Sequence, residues 1–248
     1  MLPIDLLRMP IVARTLVVVF LVGMALFGAI TFIPLFLQSV VGGTATEAGQ
    51  VLTPLFLGWV AMAVATARLT VRLGYRRIAI AGSAIMLAGF VALQSVHAGS
   101  PRSTILGAGL LIGAGMGMSM LSMLLAVQHG VPRAHLGLAT SLQQFSRSVG
   151  AAIGVAGMGA LLTRGLAGLA LPGGIGSLGA GTALTGAARL QFAAALHQVF
   201  VAGAVLAGAS LVAAFFLPTL EFSSGVASSA DERMTSVELP AVDTERKG

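Results

Sequence analysis

Leu16–Leu37 reads LVVVFLVGMALFGAITFIPLFL, 22 residues without a formal charge. The hydrocarbon core of a membrane is about 30 Å thick and a helix rises about 1.5 Å per residue, so about 20 such residues span it. The stretch is too long for the apolar core of a signal peptide, and Asp5 interrupts the basic leader that such a peptide needs. We therefore predict a membrane-spanning helix that remains in the mature protein.

Five further apolar stretches follow, and composition agrees with a membrane location. Hydrophobic residues make up 56% of the chain and charged residues 9%, and the mean hydropathy of +0.97 is far above that of soluble domains. Arg147 is the only formal charge well inside the six stretches, none of which shows the alternation of a barrel strand. The sequence predicts an all-α membrane protein, with one domain over residues 1–218. Its six transmembrane helices are expected near 16–37, 51–67, 78–96, 105–127, 144–163 and 199–217.

The arginines predict the orientation, because short loops that keep Lys and Arg stay in the cytoplasm. The segments on one side hold Arg8, Arg14, Arg68, Arg72, Arg76, Arg77 and Arg133. The segments on the other side hold only Arg102, Arg164 and Arg189. We expect a multi-pass protein of the cell (inner or plasma) membrane with both termini cytoplasmic.

Few groups in this chain could carry out chemistry. There is no Cys, and the four histidines (His97, His129, His135 and His197) lie at segment edges without the spacing of metal ligands. The predicted helices hold no Ser/His, Asp/Asp or metal-ligand set, so we predict no enzyme activity, no cofactor and no metal. The net charge of +6 comes without a basic arm or interleaved aromatics, so membrane lipid is the expected partner and nucleic acid is not.

Three stretches lie outside the predicted helices. Residues 165–186 are Gly, Ala and Leu with almost no charge, which predicts a flexible or partly interfacial outer loop. Residues 187–198 could extend the sixth helix outward or form a loop helix without a function of its own. Residues 219–248 carry acidic residues among Ser, Thr and Pro, which predicts a disordered cytoplasmic tail.

The loop between the second and third helices reads ARLTVRLGYRR over residues 67–77. It resembles the short basic loop of the major facilitator superfamily, G-x-L-x-D-R-x-G-R-R/K, in the weaker form of the second half of those transporters. The matching positions are Leu69, Arg72, Gly74 and Arg76. Ala67 and Val71 replace the first Gly and the Asp, so the charged latch that the family forms through that Asp is not expected in this half. The loop alone is also compatible with an ordinary cytoplasmic loop.

Other stretches, in the right order, are similar to the fourteen-helix drug:proton antiporter group of that superfamily. They are LPIDLLR (2–8), GAITFIPLFLQ (28–38), TEAG with Pro54 (46–54), VQHGVPR (127–133), GLATS (137–141) and FSRSVG (145–150). The resemblance implies the C-terminal half of such a transporter, with helices 1–3 and 4–6 as inverted repeats. The first half, which carries the group's Gly-Pro signature, is expected to be a missing partner.

The mechanism that the resemblance implies is alternating access, with a proton gradient driving the efflux of small hydrophobic or cationic drugs. A proton path needs a titratable group such as Asp, Glu or His. The predicted helices offer no acid, so proton coupling would reside in the missing half or in another chain. A non-transporting membrane subunit or a truncated remnant of a transporter is the alternative.

Two helix faces are candidates for a substrate cavity. Phe27, Thr31, Pro34 and Gln38 recur on one face of the first helix and combine an aromatic surface, polar groups and a proline. Met116, Met120 and Met123 form a flexible, polarizable face on the fourth helix, and Trp59 could stack on a flat cation. Both faces are also compatible with ordinary packing against helices or lipid.

The fifth helix carries the one formal charge that lies well inside a predicted span, Arg147. Gln143, Arg147, Gly150 and Gly154 share one face, and the glycines leave room for a close contact with another helix. Gln143 is a further cavity candidate. Arg147 could support packing or a cytoplasmic gate, extend to the headgroups, or contact the substrate. The gate and loop candidates are therefore Arg68, Arg72, Gly74, Arg76, Arg77 and Arg147.

Overall fold

The computed structural model describes residues 9–97, 100–167 and 186–218. Within those ranges every regular element is helical, and six helices are long and apolar enough to cross a membrane. The prediction of an all-α, six-helix membrane protein is confirmed. The predicted tail over 219–248, most of the predicted outer loop and the segment 2–8 lie outside the described residues.

The helices are longer than the apolar stretches that predicted them. In chain order they are α1 (Pro10–Phe36), α2 (Ala45–Gln50), α3 (Leu52–Leu73), α4 (Tyr75–Gln94), α5 (Arg102–Gly130), α6 (Leu136–Gly165) and α7 (Gly186–Phe215). A π-helical turn, Leu37–Val41, continues α1 three residues after Pro34. The stretch 187–198 is the first part of α7, so of its two interpretations the structure shows the helix extension. Hydropathy marks only the part of a helix that faces hydrocarbon, which explains the difference.

The bundle has two ends, set by the connections. The Gly74 turn and the segment Val131–His135 lie at one end, called here the basic end. The residues 42–44, 95–97 and 100–101 lie at the opposite end. Thr44 and Glu47 form a capping box there, in which the Thr44 N–H donates to Glu47 Oε2 over 2.8 Å and the Glu47 N–H donates to Thr44 Oγ1 over 3.3 Å.

The first three spans and the last three are arranged alike. α1 packs mainly on α6 and α7, and α5 packs mainly on α3 and α4. If α1, α3 and α4 are matched in that order with α5, α6 and α7, the two sets make the same pairings. The two central helices, α1 and α5, run in opposite directions. This is the arrangement of a 3+3 inverted repeat. α1 and α5 form the centre, whereas α3 and α6 are the least covered spans.

Glycines bring the paired helices together at their backbones. A Cβ on Gly113 of α5 would overlap the carbonyl oxygen of Leu55 on α3. In the other pair, a Cβ on Gly154 of α6 would lie 2.5 Å from the Cα of Met24 on α1. The close helix contact predicted from Gly150 and Gly154 is therefore present, and Gly113 makes a similar contact in the other pair.

Gly74 alone joins α3 to α4. Its backbone has φ 78° and ψ 156°, a region that is essentially restricted to glycine. A Cβ there would have no heavy atom within 4 Å, so the constraint lies in the backbone rather than in space. Glycine at this position therefore permits the tight reversal between the two helices.

We expect Gly74→Ala to destabilise the chain by about 1–3 kcal/mol, because a Cβ disfavours this backbone region. Thermal unfolding in detergent would measure the change. Gly107→Ala, within α5 and also free of close neighbours, is the matched control and should leave stability unchanged or slightly higher. Equal midpoints for the two variants would contradict the prediction.

Candidate functional site

The predicted face of α1 lies partly at the surface of the bundle. Thr31 is exposed, and Phe27, Pro34 and Gln38 are half-buried. The Thr31 hydroxyl donates to the carbonyl oxygen of Phe27 over 2.8 Å, a local bond that the packing interpretation also expects. A role for these four residues in a substrate cavity stays a prediction.

The methionine face of α5 divides into buried and accessible members. Met116 and Met123 have 0% of their surface exposed and belong to the core. Met120 is half-buried and lines a pocket. Because α5 is central, neighbouring helices cover most of its circumference. Met120 is the member that a bound molecule can reach without rearrangement of the core.

That pocket, called here the Arg147 pocket, lies between α1, α3, α5 and α6 and has a volume of about 250 Å³. It brings together four residues that the sequence singled out separately on three helices. They are Trp59, Met120, Gln143 and Arg147. Val19, Leu124, Thr140 and Gln144 contribute to the remaining wall.

Two polar groups at this pocket are buried without hydrogen bonds. Gln143 is 5% exposed, and its Oε1 accepts no hydrogen bond from the described residues. The Nε of Arg147 is also buried and donates to none of them. Thr140 differs, because its hydroxyl donates to the carbonyl oxygen of Leu136 over 2.9 Å. Buried polar groups are normally hydrogen-bonded. A few buried hydroxyls, such as those of Ser39 and Ser83, also lack a partner, and the Gln143 and Arg147 atoms differ from them in belonging to residues that line this pocket.

The backbone around Arg147 packs tightly while its side chain borders the pocket. A Cβ on Gly23 of α1 would lie 2.7 Å from the carbonyl oxygen of Arg147. Arg147 is eleven residues into α6, or about 16 Å along the helix. The residue is half-buried, and its Nε is shielded from solvent. Its role as gate, headgroup anchor or substrate contact stays a prediction.

No acid of the described residues is free to pair with Arg147. Glu47 is the one Asp or Glu between residues 9 and 218, and it lies at the opposite end of the bundle. Its Oε1 accepts from Arg102 Nη1 over 3.1 Å, and Arg102 Nη2 donates to the Glu47 carbonyl oxygen over 3.1 Å. The positive charge at the pocket is uncompensated by the described part of the chain.

At the basic end, arginines cap the C-terminus of α7. Arg76 Nη2 donates to the carbonyl oxygen of Phe215 over 2.8 Å, which supplies a partner to a carbonyl at the helix end. Arg14 Nη1 donates to the carbonyl oxygen of Phe216 over 2.7 Å. The sequence indicated Arg14 only as a topology signal, because the partner is distant along the chain. The other loop arginines, Arg68, Arg72 and Arg77, are exposed.

Three relatives carry names that describe transport or resistance. Multidrug transporter protein MdtP of Bacillus subtilis is 32% identical over 143 residues, 58% of this chain and 26% of that protein. The tetracycline resistance determinant of Streptomyces rimosus is 32% identical over 156 residues, 62% of this chain and 45% of that protein. The uncharacterized MFS-type transporter Rv1877 of Mycobacterium tuberculosis is 37% identical over 164 residues, 64% of this chain and 23% of that protein. The matched part therefore spans less than half the length of each relative.

The family itself is decided by a match to a family model. The model of the Major Facilitator Superfamily matches residues 3–155, which is more than half of the sequence. The match includes the Gly74 loop, the central helices α1 and α5, and Arg147. It agrees with the six helices and with the 3+3 arrangement described above. The chain belongs to the Major Facilitator Superfamily.

Proposed function

We propose that this chain supplies the C-terminal half of a proton-coupled exporter of hydrophobic or cationic compounds that works by alternating access. The observation that carries the proposal is the Arg147 pocket, which opens where α1, α3, α5 and α6 meet and so draws on both repeats. Its walls combine apolar side chains with a few polar groups, the usual make-up of a small-molecule site. Similarity to proteins named for multidrug transport and tetracycline resistance supports the same function.

An N-terminal half is the proposed partner, and it would cover the helices that this bundle leaves exposed. On α3, Phe56, Val60 and Val64 follow one another at helical spacing and are 41%, 61% and 58% exposed. On α6, Phe145 and Ile153 are 64% and 49% exposed. Both helices border the Arg147 pocket, so a second bundle placed on them would close the pocket into a cavity between the halves.

Proton coupling is assigned to that partner. The described spans hold one acid, Glu47, and it is bonded to Arg102 at the opposite end of the bundle. A coupling site needs a group that exchanges protons within the substrate path. The proposed orientation places the basic end in the cytoplasm, in agreement with the positive-inside rule, and both termini with it.

The test is to express the chain together with the N-terminal half of a related fourteen-helix protein, or with the product of an upstream reading frame. We expect the two to co-purify and the cells to extrude ethidium, with efflux lost when an uncoupler collapses the proton gradient. Each half expressed alone is the control. Absence of both co-purification and proton-dependent efflux would overturn the proposal. Co-purification without efflux would favour the alternative, a membrane subunit that does not transport.

A further inference from the structure

We infer that the Arg147 pocket binds an oxyanion, of the carboxylate class, carried by a substrate with an apolar ring. The inference rests on the proposed transport function and changes its substrate class, because at this pocket amphiphilic anions take the place of the cationic compounds. It follows from the charge of the site, from its unpartnered hydrogen-bonding groups and from the size of its apolar walls.

The first ground for the inference is the positive charge of Arg147. Arg147 carries a positive charge on a half-buried side chain, and a charge that is partly withdrawn from water is stabilised by an opposite charge beside it. Glu47, the one acid among the described residues, is already bonded to Arg102. A ligand that enters the pocket with its own negative charge would supply the missing partner. A cationic ligand would be repelled at the same place.

The hydrogen-bonding groups point to the same chemistry. Gln143 and Arg147 are one helical turn apart on α6 and both border the pocket. The buried Nε of Arg147 is an unused donor, and the guanidinium can hold a carboxylate through two parallel bonds. The Gln143 amide can donate to the same ligand, because its oxygen and nitrogen are interchangeable by a flip.

The apolar walls fit the rest of such a molecule. Trp59 of α3 and Met120 of α5 contribute an aromatic ring and a polarizable side chain to the same pocket. A volume of about 250 Å³ exceeds what a lone carboxylate group fills and is suited to an aromatic ring that bears one. This favours a small amphiphilic acid over an acidic side chain of the partner half.

The chain contains one tryptophan, and it lies in this pocket, so its fluorescence reports on the site directly. The whole chain, in nanodiscs of zwitterionic lipid, would be titrated with 4-nitrobenzoate, 4-nitrobenzamide and 4-nitrobenzylammonium. These probes have the same ring and quenching group and differ in charge. We expect saturable quenching of Trp59 by 4-nitrobenzoate, at least about tenfold tighter than by the cation, as one charge-assisted hydrogen bond implies.

Arg147→Gln should weaken 4-nitrobenzoate binding at least about tenfold and leave the amide unchanged. Arg164→Gln, an exposed position on the same helix with the same change of net charge, is the matched control and should have no effect. If Arg147→Gln yields no monodisperse protein, Gln143→Leu tests the site instead. This variant is expected to weaken the binding of 4-nitrobenzoate several-fold.

Equal affinity for the three probes, or equal anion binding by the wild type and Arg147→Gln, would overturn the inference. Loss of probe binding when an N-terminal half is co-expressed would assign the pocket to an acid of that partner and would also overturn it. The binding measurement requires no transport. A failed efflux experiment with an intact anion preference therefore tells against the proposed function and not against this site.

Discussion

Gly113→Ala should lower the free energy of unfolding by about 3 kcal/mol, at the upper end of the usual cost of overpacking a core. The added Cβ would overlap the Leu55 carbonyl oxygen and lie 2.7 Å from its carbonyl carbon and 3.0 Å from its Cα. These are backbone atoms of α3, so no rotamer change relieves the contact and the helices must separate. Loss of monodisperse protein and a lower unfolding midpoint in detergent would be measured.

The control for this prediction is Gly107→Ala, six residues earlier on α5. A Cβ at Gly107 would have no heavy atom within 4 Å, so the same methyl group is added without a clash. Its midpoint should match or slightly exceed that of the wild type, because alanine favours helix over glycine. If both variants behaved alike, the close approach of α3 and α5 would be refuted.

The number and type of helices follow from the sequence, because a membrane span requires an uninterrupted apolar stretch of known length. The limits of α7, in contrast, do not follow from the sequence. Arg189 and Gln191 lower the hydropathy of its first turns, yet the helix begins at Gly186. Polarity there reflects the surroundings of the helix rather than its conformation.

Part of the candidate site is also readable from spacing. Gln143 and Arg147 are four residues apart and so lie on one face of any helix that contains them. Their proximity to Trp59 and Met120 is a contact between distant segments, which periodicity does not reveal. The same limit applies to Met116 and Met123, because their burial depends on which helices surround α5.

Arg147→Met should raise the free energy of unfolding by about 2 kcal/mol, while abolishing the anion preference of the pocket. The estimate follows the cost of placing an arginine within a membrane-spanning helix, about 2.5–3.5 kcal/mol on insertion scales, reduced here because Arg147 keeps partial exposure. Met retains an unbranched apolar chain and removes the charge that no described acid compensates. A residue retained for ligand binding is expected to cost stability in the absence of its ligand.

Thermal unfolding in neutral detergent, with and without 4-nitrobenzoate, separates this role from simple support of packing. The ligand should raise the wild-type midpoint and leave that of Arg147→Met unchanged, since only the protein that binds a ligand gains stability from it. Arg164→Met changes the net charge equally at an exposed position and should behave as the wild type does. If Arg147 instead held the helices together, its replacement would lower the midpoint. If the Arg147→Met variant is stable but no longer prefers the anion, Arg147 is a binding residue rather than a structural one.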